Sequence, residues 1–301
     1  MRVLCFGSLN IDYTYRVDHF VRKGETLSSQ SLQVFSGGKG LNQSIALAKA
    51  GVSTYLAGAV GEDGNFLLDI LGKAGVDTSC VQIRSDVRTG NAIIQNDKEG
   101  DNCILLYGGA NQAITREQID EVLEKFHEGE FLVLQNEINE LPYLTRKAHE
   151  RGMKIVLNPS PMDEKIFDIP LELVDYFLLN ETEAFGLLKK DGHPEGRTME
   201  ELASDLSSKF PQGVIVLTIG SDGAIFANGE KQFCQPSFPV KAVDTTAAGD
   251  TFSGYFIAGM LEGMRPEKAM EMAAKAASIA VTRPGAAPSI PERREVEEAL
   301  G

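Results

Sequence analysis

The sequence predicts an α/β fold: a mostly parallel central sheet with helices on both faces, plus a small antiparallel β-sheet that serves as a lid. Three observations predict it. From Thr115 onward, short apolar runs alternate with amphipathic stretches, the βα repetition of a parallel sheet. Residues 13–35 and 89–107 interrupt that repetition with alternating strands of exposed texture, enough for a small independent sheet. The 301 residues, 43% of them hydrophobic, suffice for one generous core. The expected organisation is a single domain, 1–301, with lid segments at about 12–36 and 88–110 inserted in the core.

Composition excludes several function classes. A net charge of -14, from 29 basic and 43 acidic residues, opposes a general nucleic-acid or anionic-membrane surface. Any phosphate must then be met by local N–H groups and a few placed cations. Cys5, Cys80, Cys103 and Cys234 form no C-x-x-C pair, and His19, His127, His149 and His193 show no ligand spacing. Scattered thiols, a first strand unlike a signal peptide and the lack of a long apolar run lead us to expect a cytoplasmic protein.

The elements follow in order. Arg2–Gly7 is apolar without alternation, as in a strand buried on both faces. Asn10 and Asp12 follow its carboxyl end, where open parallel sheets gather ligands, although Asn and Asp also favour a plain turn. Tyr13, Tyr15 and Val17, then Leu32 and Val34, alternate with polar residues and predict lid strands. Ser36-Gly-Gly-Lys-Gly40 leads into an alanine-rich helix over Asn42–Ala50. Lys39 is followed by Gly40 rather than Ser or Thr, so this is no Walker A loop. A glycine-rich helix start carrying Lys39 and Asn42 lets backbone approach a small polar ligand, and a flexible turn would look the same.

Ser53–Val60 reads as a strand, Phe66–Lys73 as a helix, and Thr89–Gln95 with Cys103–Tyr107 as a second exposed hairpin. Thr115-Arg-Glu-Gln118 is a capping-box pattern that starts a helix to Phe126. Strands at Phe131–Leu134, Lys154–Leu157 and Tyr176–Leu179 alternate with a helix over Leu141–Arg151 and the loop Asn158-Pro-Ser-Pro161. Gln135, Asn136 and Glu137 stand past one buried strand, and Asn180, Glu181 and Glu183 past another. Carboxylates with Asn there suit Mg²⁺, a hard cation often reached through water. Asn180 equally caps a helix over Glu181–Lys189, and the two readings are compatible. Val214–Thr218 is a strand, and Ala224–Ala227 with Lys231–Cys234 a hairpin around Asn228-Gly229.

Phe238, Val240 and Ala242 alternate with Pro239, Lys241 and Val243, which predicts a half-buried strand running into Asp244-Thr-Thr-Ala-Ala-Gly-Asp-Thr-Phe-Ser-Gly254. Beyond it, Phe252, Tyr255, Phe256, Gly259 and Met260 predict a helix with one apolar face. Ala247, Ala248 and Gly249 thus lie at a helix start, where free N–H groups and the dipole favour an anion. Asp250 at its edge would repel a bound phosphate unless it takes a proton from the group attacking that phosphate. In isolation it would only charge a helical turn. Pro266 opens a further helix whose small buried residues, Ala273, Ala274 and Ala277 among them, leave room for a flat ligand.

Ser36-Gly-Gly-Lys-Gly40 with Asn42, Asn180-Glu-Thr-Glu183 and above all Asp244-Thr-Thr-Ala-Ala-Gly-Asp-Thr-Phe252 resemble the ribokinase branch of the PfkB carbohydrate kinase family. Gly7-Ser-Leu-Asn-Ile-Asp12 and Thr282-Arg-Pro-Gly-Ala-Ala-Pro-Ser289 match it too, so the resemblance spans essentially the whole chain. It implies a Rossmann-like core whose lid closes over a sugar and often clasps a second subunit, hence a homodimer through the lid. It implies ATP-dependent phosphorylation, with Asp250 as general base and the N–H groups of Ala247, Ala248 and Gly249 as the anion hole. Asn10, Asp12, Gly38, Lys39, Gly40, Asn42 and Glu137 would hold the sugar. Asn180 and Glu183 would organise the phosphates and Mg²⁺, Glu183 through water, while Thr218, Gly220, Ser221, Gly223 and Gly249 line the ATP site. K⁺ would sit near Asp244, Thr246, Ala280, Arg283, Gly285 and Ser289, mostly on carbonyl oxygens.

The leading expectation is D-ribose, giving ribose 5-phosphate. Fructose, 2-deoxyribose or a nucleoside is the alternative within the class, and a catalytically idle sugar-binding regulator the alternative outside it. Asn10, Asp12 and Lys39 suit a free polyol better than a nucleoside, and the intact Gly249-Asp250 argues against an idle protein. The chain departs from the family pattern at Arg22-Lys-Gly-Glu-Thr26, Leu41 and Ala274, which bears on substrate and nucleotide preference.

Overall fold

A computed structural model describes residues 2–189 and 197–301. The chain begins with β1 (Arg2–Phe6), leaves for β2 (Asn10–Arg16) and β3 (Ser31–Gly37), and returns through α1 (Lys39–Lys49) to β4 (Ser53–Gly61). α2 (Asn65–Lys73) and β5 (Asp77–Arg84) follow, then β6 (Gly90–Asn96) and β7 (Asn102–Tyr107). The βα repetition comes next: α3 (Arg116–Leu123), β8 (Phe131–Gln135), α4 (Leu141–Glu150), β9 (Lys154–Asn158), β10 (Tyr176–Asn180), α5 (Glu181–Leu187), α6 (Met199–Lys209) and β11 (Val214–Thr218). β12 (Ala224–Ala227), β13 (Gln232–Gln235), α7 (Ala248–Leu261), α8 (Pro266–Ala280) and α9 (Arg293–Leu300) complete it.

The large sheet has the order β13-β12-β11-β10-β9-β8-β1-β4-β5. It is parallel from β11 to β5, with the β12–β13 hairpin antiparallel at one edge. Its parallel strands are apolar at successive positions because both faces are covered. Val3, Cys5, Val133, Val156, Leu178 and Val216 point to the side packed by α1, α7 and α8. Leu4, Phe6, Leu132, Leu134, Leu157 and Leu217 point to the side packed by α3, α4 and α6. Each fully buried side chain of this kind contributes roughly 1.5–3 kcal/mol. The chain runs outward from β1 on one side and restarts beside it at β8, so the order reverses between these two strands. Ligands of open α/β sheets bind in the crevice at such a point.

The lid has the order β3-β2-β6-β7. It consists of two antiparallel pairs, joined where β2 runs parallel to β6 in the register Asn10↔Gly90. Both pairs leave the carboxyl ends of parallel core strands, β1 and β5, so their first strands run the same way. β5 itself is not evident in the sequence, because Asp77, Ser79 and Gln82 dilute its apolar signal at a sheet edge. Leu32, Val34, Ile104 and Leu106 leave much of their surface exposed on the lid.

Some expectations change. α1 begins at Lys39 rather than Asn42, directly after Gly38, whose φ of 96° no side chain tolerates well. Residues 238–243 form no strand: Pro239 lacks a donor, and the N–H of Val243 goes to the Val281 carbonyl at 2.8 Å instead of to a ladder. α7 is buried on all sides from Asp250 to Gly259, not on one face, because α1 and α8 both pack on it. Thr115 caps α3 by accepting the Gln118 N–H, but the Gln118 side chain donates to the Gly58 carbonyl, so the box is one-sided. His193 lies outside the described residues. Among the described residues no helix is long and apolar enough to cross a membrane.

Candidate active site

The carboxyl ends of β1, β8, β9, β10 and β11 converge on the first turns of α1 and α7. A cleft of about 230 Å³ opens there, lined among others by Lys39, Asn158, Asn180, Glu183, Thr218 and Asp250. Ala247, Ala248 and Gly249 form part of its wall, so the expected phosphate cradle and the expected base share one cavity.

α7 starts abruptly because Ala247 takes the left-handed conformation, φ 59°. Its carbonyl accepts both the N–H and the hydroxyl of Thr251 at 2.8 Å, which locks the turn. The N–H of Ala248 is turned onto the Thr245 carbonyl at 3.2 Å, so of the three cradle residues it is the one already engaged within the protein.

Asp250 is buried, with one edge on the cleft. Its Oδ2 accepts Nδ2 of Asn42 at 3.1 Å and its Oδ1 accepts Nε2 of Gln43 at 2.9 Å. Both amides come from the first turns of α1. That helix sits hard against the end of β1, where a Cβ on Gly40 would lie 2.4 Å from the Ser8 nitrogen.

Across the cleft Asn180 and Glu183 form a reciprocal capping box. Glu183 Oε2 accepts the Asn180 N–H at 2.9 Å and Oε1 accepts Asn180 Nδ2 at 3.1 Å. Burial pushes the Glu183 carboxyl up, against the Asn180 and Ser160 hydrogen bonds and the Lys39 charge that favour its ionised form. With both oxygens committed to the cap, this carboxylate fits a Mg²⁺ reached through water rather than bound directly.

A second cluster lies at the base of the lid. Glu137 Oε2 accepts the Lys39 N–H at 3.0 Å and the Ser8 hydroxyl. Asn10 Oδ1 accepts Nδ2 of Asn111 at 2.8 Å, and the same amide clamps Leu9 through its N–H and carbonyl. Burial, then the neighbouring Glu137 charge, pushes the Asp12 carboxyl up to about 6. Gly38 leaves the close approach to Ser8 and Asn10 open, since a Cβ there would meet the Ser8 carbonyl at 2.7 Å. Lys39 belongs to both clusters, its backbone on Glu137 and its side chain on the cleft.

Thr218 lines the cleft, whereas Gly220, Ser221 and Gly223 sit on the following turn and do not. There a Cβ on Gly223 would strike the Gln235 carbonyl at 2.1 Å. Of the residues expected around K⁺, Asp244 is tied to Thr246 through Oδ1 and to the Gly285 N–H through Oδ2. The Ala280 carbonyl accepts the Arg283 N–H at 3.0 Å, and Ser289 is buried with its hydroxyl on Ala286. The Arg283 guanidinium is paired with Glu295 at 2.6 Å. Carboxylate, carbonyl and hydroxyl oxygens from these two loops are the ligand type that suits a hard cation.

The residues not foreseen are Gln43, Gln135 in its supporting role, Asn111, Asn158 and Ser160. Gln135 carried a sequence signal as a polar residue past a buried strand, Asn158 and Ser160 one as the loop after the next strand, and Gln43 one as a second amide in a helix turn otherwise destined for burial. Which of them meet depends on which strand ends become neighbours.

The model of the family described as "pfkB family carbohydrate kinase" matches residues 1–293. The chain is 35% identical to the ribokinase of Bacillus subtilis over 305 residues, covering 100% of both. It superposes on the ribokinase of Cryptococcus neoformans var. grubii in complex with ADP with a TM-score of 0.87 and 32% identity, covering 99% of each chain. The ribokinase of Arabidopsis thaliana complexed with ribose and ATP gives a TM-score of 0.87 and 30% identity, covering 99% of this chain and 98% of that one. The chain that folds around this cleft, matched over nearly its whole length, belongs to the pfkB family of carbohydrate kinases.

Proposed function

We propose that this protein is an ATP-dependent kinase that converts D-ribose to D-ribose 5-phosphate, with Asp250 as general base. The observation that carries it is the Asp250 carboxylate, buried at the wall of the same cleft as the α7 N-terminus and oriented by two amides. Relatives of similar length are ribokinases, one of them holding ribose and ATP, which supports ribose as the acceptor.

Phosphoryl transfer needs in-line placement and charge neutralisation more than covalent help. Asn10, Asp12, Gly38, Gly40, Asn42 and Glu137, with Lys39, hold the sugar at the base of the lid and present one hydroxyl to Asp250. Asp250 takes that proton as the sugar oxygen bonds to the γ-phosphorus, and the bond to the β,γ-bridging oxygen breaks so that ADP leaves. The N–H groups of Ala247 and Gly249, and that of Ala248 once released from Thr245, receive the charge on the transferred group. Lys39 adds a cation beside it. Thr218 and the turn through Gly220, Ser221 and Gly223 support the nucleotide. Glu183, with Asn180 beside it, would hold a Mg²⁺ through water, and that ion would supply positive charge against the triphosphate. K⁺ near Asp244, Thr246, Ala280, Arg283, Gly285 and Ser289 would steady the loop that leads into the cradle.

The half-exposed apolar side chains of the lid support a homodimer through that sheet, which size-exclusion chromatography with light scattering tests directly. Four free cysteines among the described residues support a cytoplasmic setting.

The deciding experiment is ADP release from MgATP with D-ribose, fructose, 2-deoxyribose and adenosine. Turnover highest on ribose is expected. Higher turnover on another acceptor moves the substrate within the class, and ATP left unconsumed with all four leaves an idle sugar binder.

A further inference from the structure

We infer that Gln43 is a positioning residue for Asp250, and that Gln135 decides which end of the Gln43 amide faces that carboxylate. The inference deepens the sugar-kinase reading and rests on it. Gln43 is 1% exposed, its Nε2 donating to Asp250 Oδ1 at 2.9 Å while its Oε1 accepts Nε2 of Gln135 at 2.7 Å. An ionised carboxylate only accepts, so the nitrogen of Gln43 must face it. The amide oxygen then points the other way, and only a donor can stand behind it. Gln135, at the end of β8, is that donor.

Gln135 is fully buried, and its own Oε1 has no donor among the described residues. A buried acceptor left unpaired costs roughly 1–3 kcal/mol, so what Gln135 contributes lies at its nitrogen end. Beyond it, Gln135 Nε2 lies 3.5 Å from Cys5 Sγ, a thiol that burial pushes up to about 11 and keeps neutral. The thiol behind the amide pair is therefore uncharged. Lys39 from α1 and Glu183 from α5 are the charged groups that face Asp250 across the cleft.

The two amides on Asp250 are not equivalent. Asn42 holds Oδ2 at 3.1 Å, but its own Oδ1 is buried without a donor, so its far end is not anchored. Gln43 is fixed at both ends. In the reactive complex the sugar hydroxyl replaces Asn42 at Oδ2 and passes its proton there, while Gln43 stays on Oδ1 and holds the carboxylate plane.

The test measures kcat and KM for D-ribose, and ADP affinity by calorimetry, for wild type, Asp250→Asn, Gln43→Met, Gln135→Met and the Gln43→Met/Gln135→Met double variant. Gln43→Met is expected to lower kcat by roughly 10- to 100-fold with ribose KM changed less than about threefold and ADP affinity unchanged. Gln135→Met is expected to lose about 3- to 10-fold, and the double variant to be no slower than Gln43→Met, because Gln135 acts only through Gln43. A multiplicative loss in the double variant, or normal kcat in a folded Gln43→Met enzyme, overturns the inference. Should Gln43→Met not fold, Gln135→Met decides alone: it removes the donor behind Gln43 Oε1, and normal kcat in the folded variant would again overturn the inference. If Asp250→Asn keeps its turnover, or wild type has none, the kinase reading itself fails and takes this inference with it. If Asp250→Asn loses turnover and Gln43→Met does not, only the positioning role fails.

Discussion

Asp244 and Gly285, 41 residues apart, are joined by a 2.8 Å hydrogen bond from the Gly285 N–H to Asp244 Oδ2, which ties the turn before α7 to the loop after α8. Burial alone would raise this carboxyl, but the hydrogen bonds from Thr246 and Gly285 outweigh it and hold it below its ordinary value. A folded-state pKa that is depressed adds stability above the unfolded value, about 3.9, and that stability is lost as pH falls through the folded one. Asp244→Ala should therefore lower stability by about 1–2 kcal/mol at pH 7, with the gap closing below about pH 4. Thermal melts of both proteins at the two pH values check it.

Asp12 is the opposite case. Its carboxyl, raised to about 6 by burial and by Glu137, contributes stability that is complete below the unfolded pKa and is lost as pH rises through about 6. Asp12→Asn removes the buried charge, and should stabilise the free protein on the order of 1–2 kcal/mol at pH 7.5 and hardly at all below about pH 4. The same change should weaken ribose binding, since it removes an anionic acceptor for sugar hydroxyls. Denaturant titrations at both pH values, with ribose affinity measured alongside, would show equal stability throughout if this account is wrong.

Asp250→Asn keeps the shape of the side chain and one of its two acceptor positions, sets an N–H2 against the amide donor at the other, and cannot take a proton. Turnover should fall about 10²- to 10⁴-fold with ADP affinity retained. Near-normal turnover would end the proposed mechanism.

The distance between the base and its two amides is set where α1 meets α7. A Cβ on Gly254 would lie 2.5 Å from Ala46 Cβ and 2.9 Å from backbone atoms of α1. Gly254→Ala should push the helices apart, destabilise by roughly 1–3 kcal/mol and reduce kcat, because Asn42 and Gln43 then no longer reach Asp250 together. A variant of unchanged Tm and kcat would show that α7 is not held by this contact.

The sequence by itself determined the classes of element and the local chemistry. The buried parallel strands, the polar residues at their carboxyl ends and the helix start at Ala247–Asp250 follow from apolar periodicity and capping preferences, which act over a few residues. Tertiary structure decided what those preferences cannot reach. It placed β8 beside β1 and α1 against α7, and so brought Gln135, Gln43 and Asp250 into one line from three distant segments. It withheld a strand from residues 238–243, where Pro239 and the pull of Val281 leave no ladder. It ran β2 and β6 in the same direction, because both leave the carboxyl ends of parallel strands, β1 and β5. Hydrogen bonds between residues a hundred or more positions apart form only after strand order is chosen, and that choice is made by packing over the whole core rather than by any stretch of it.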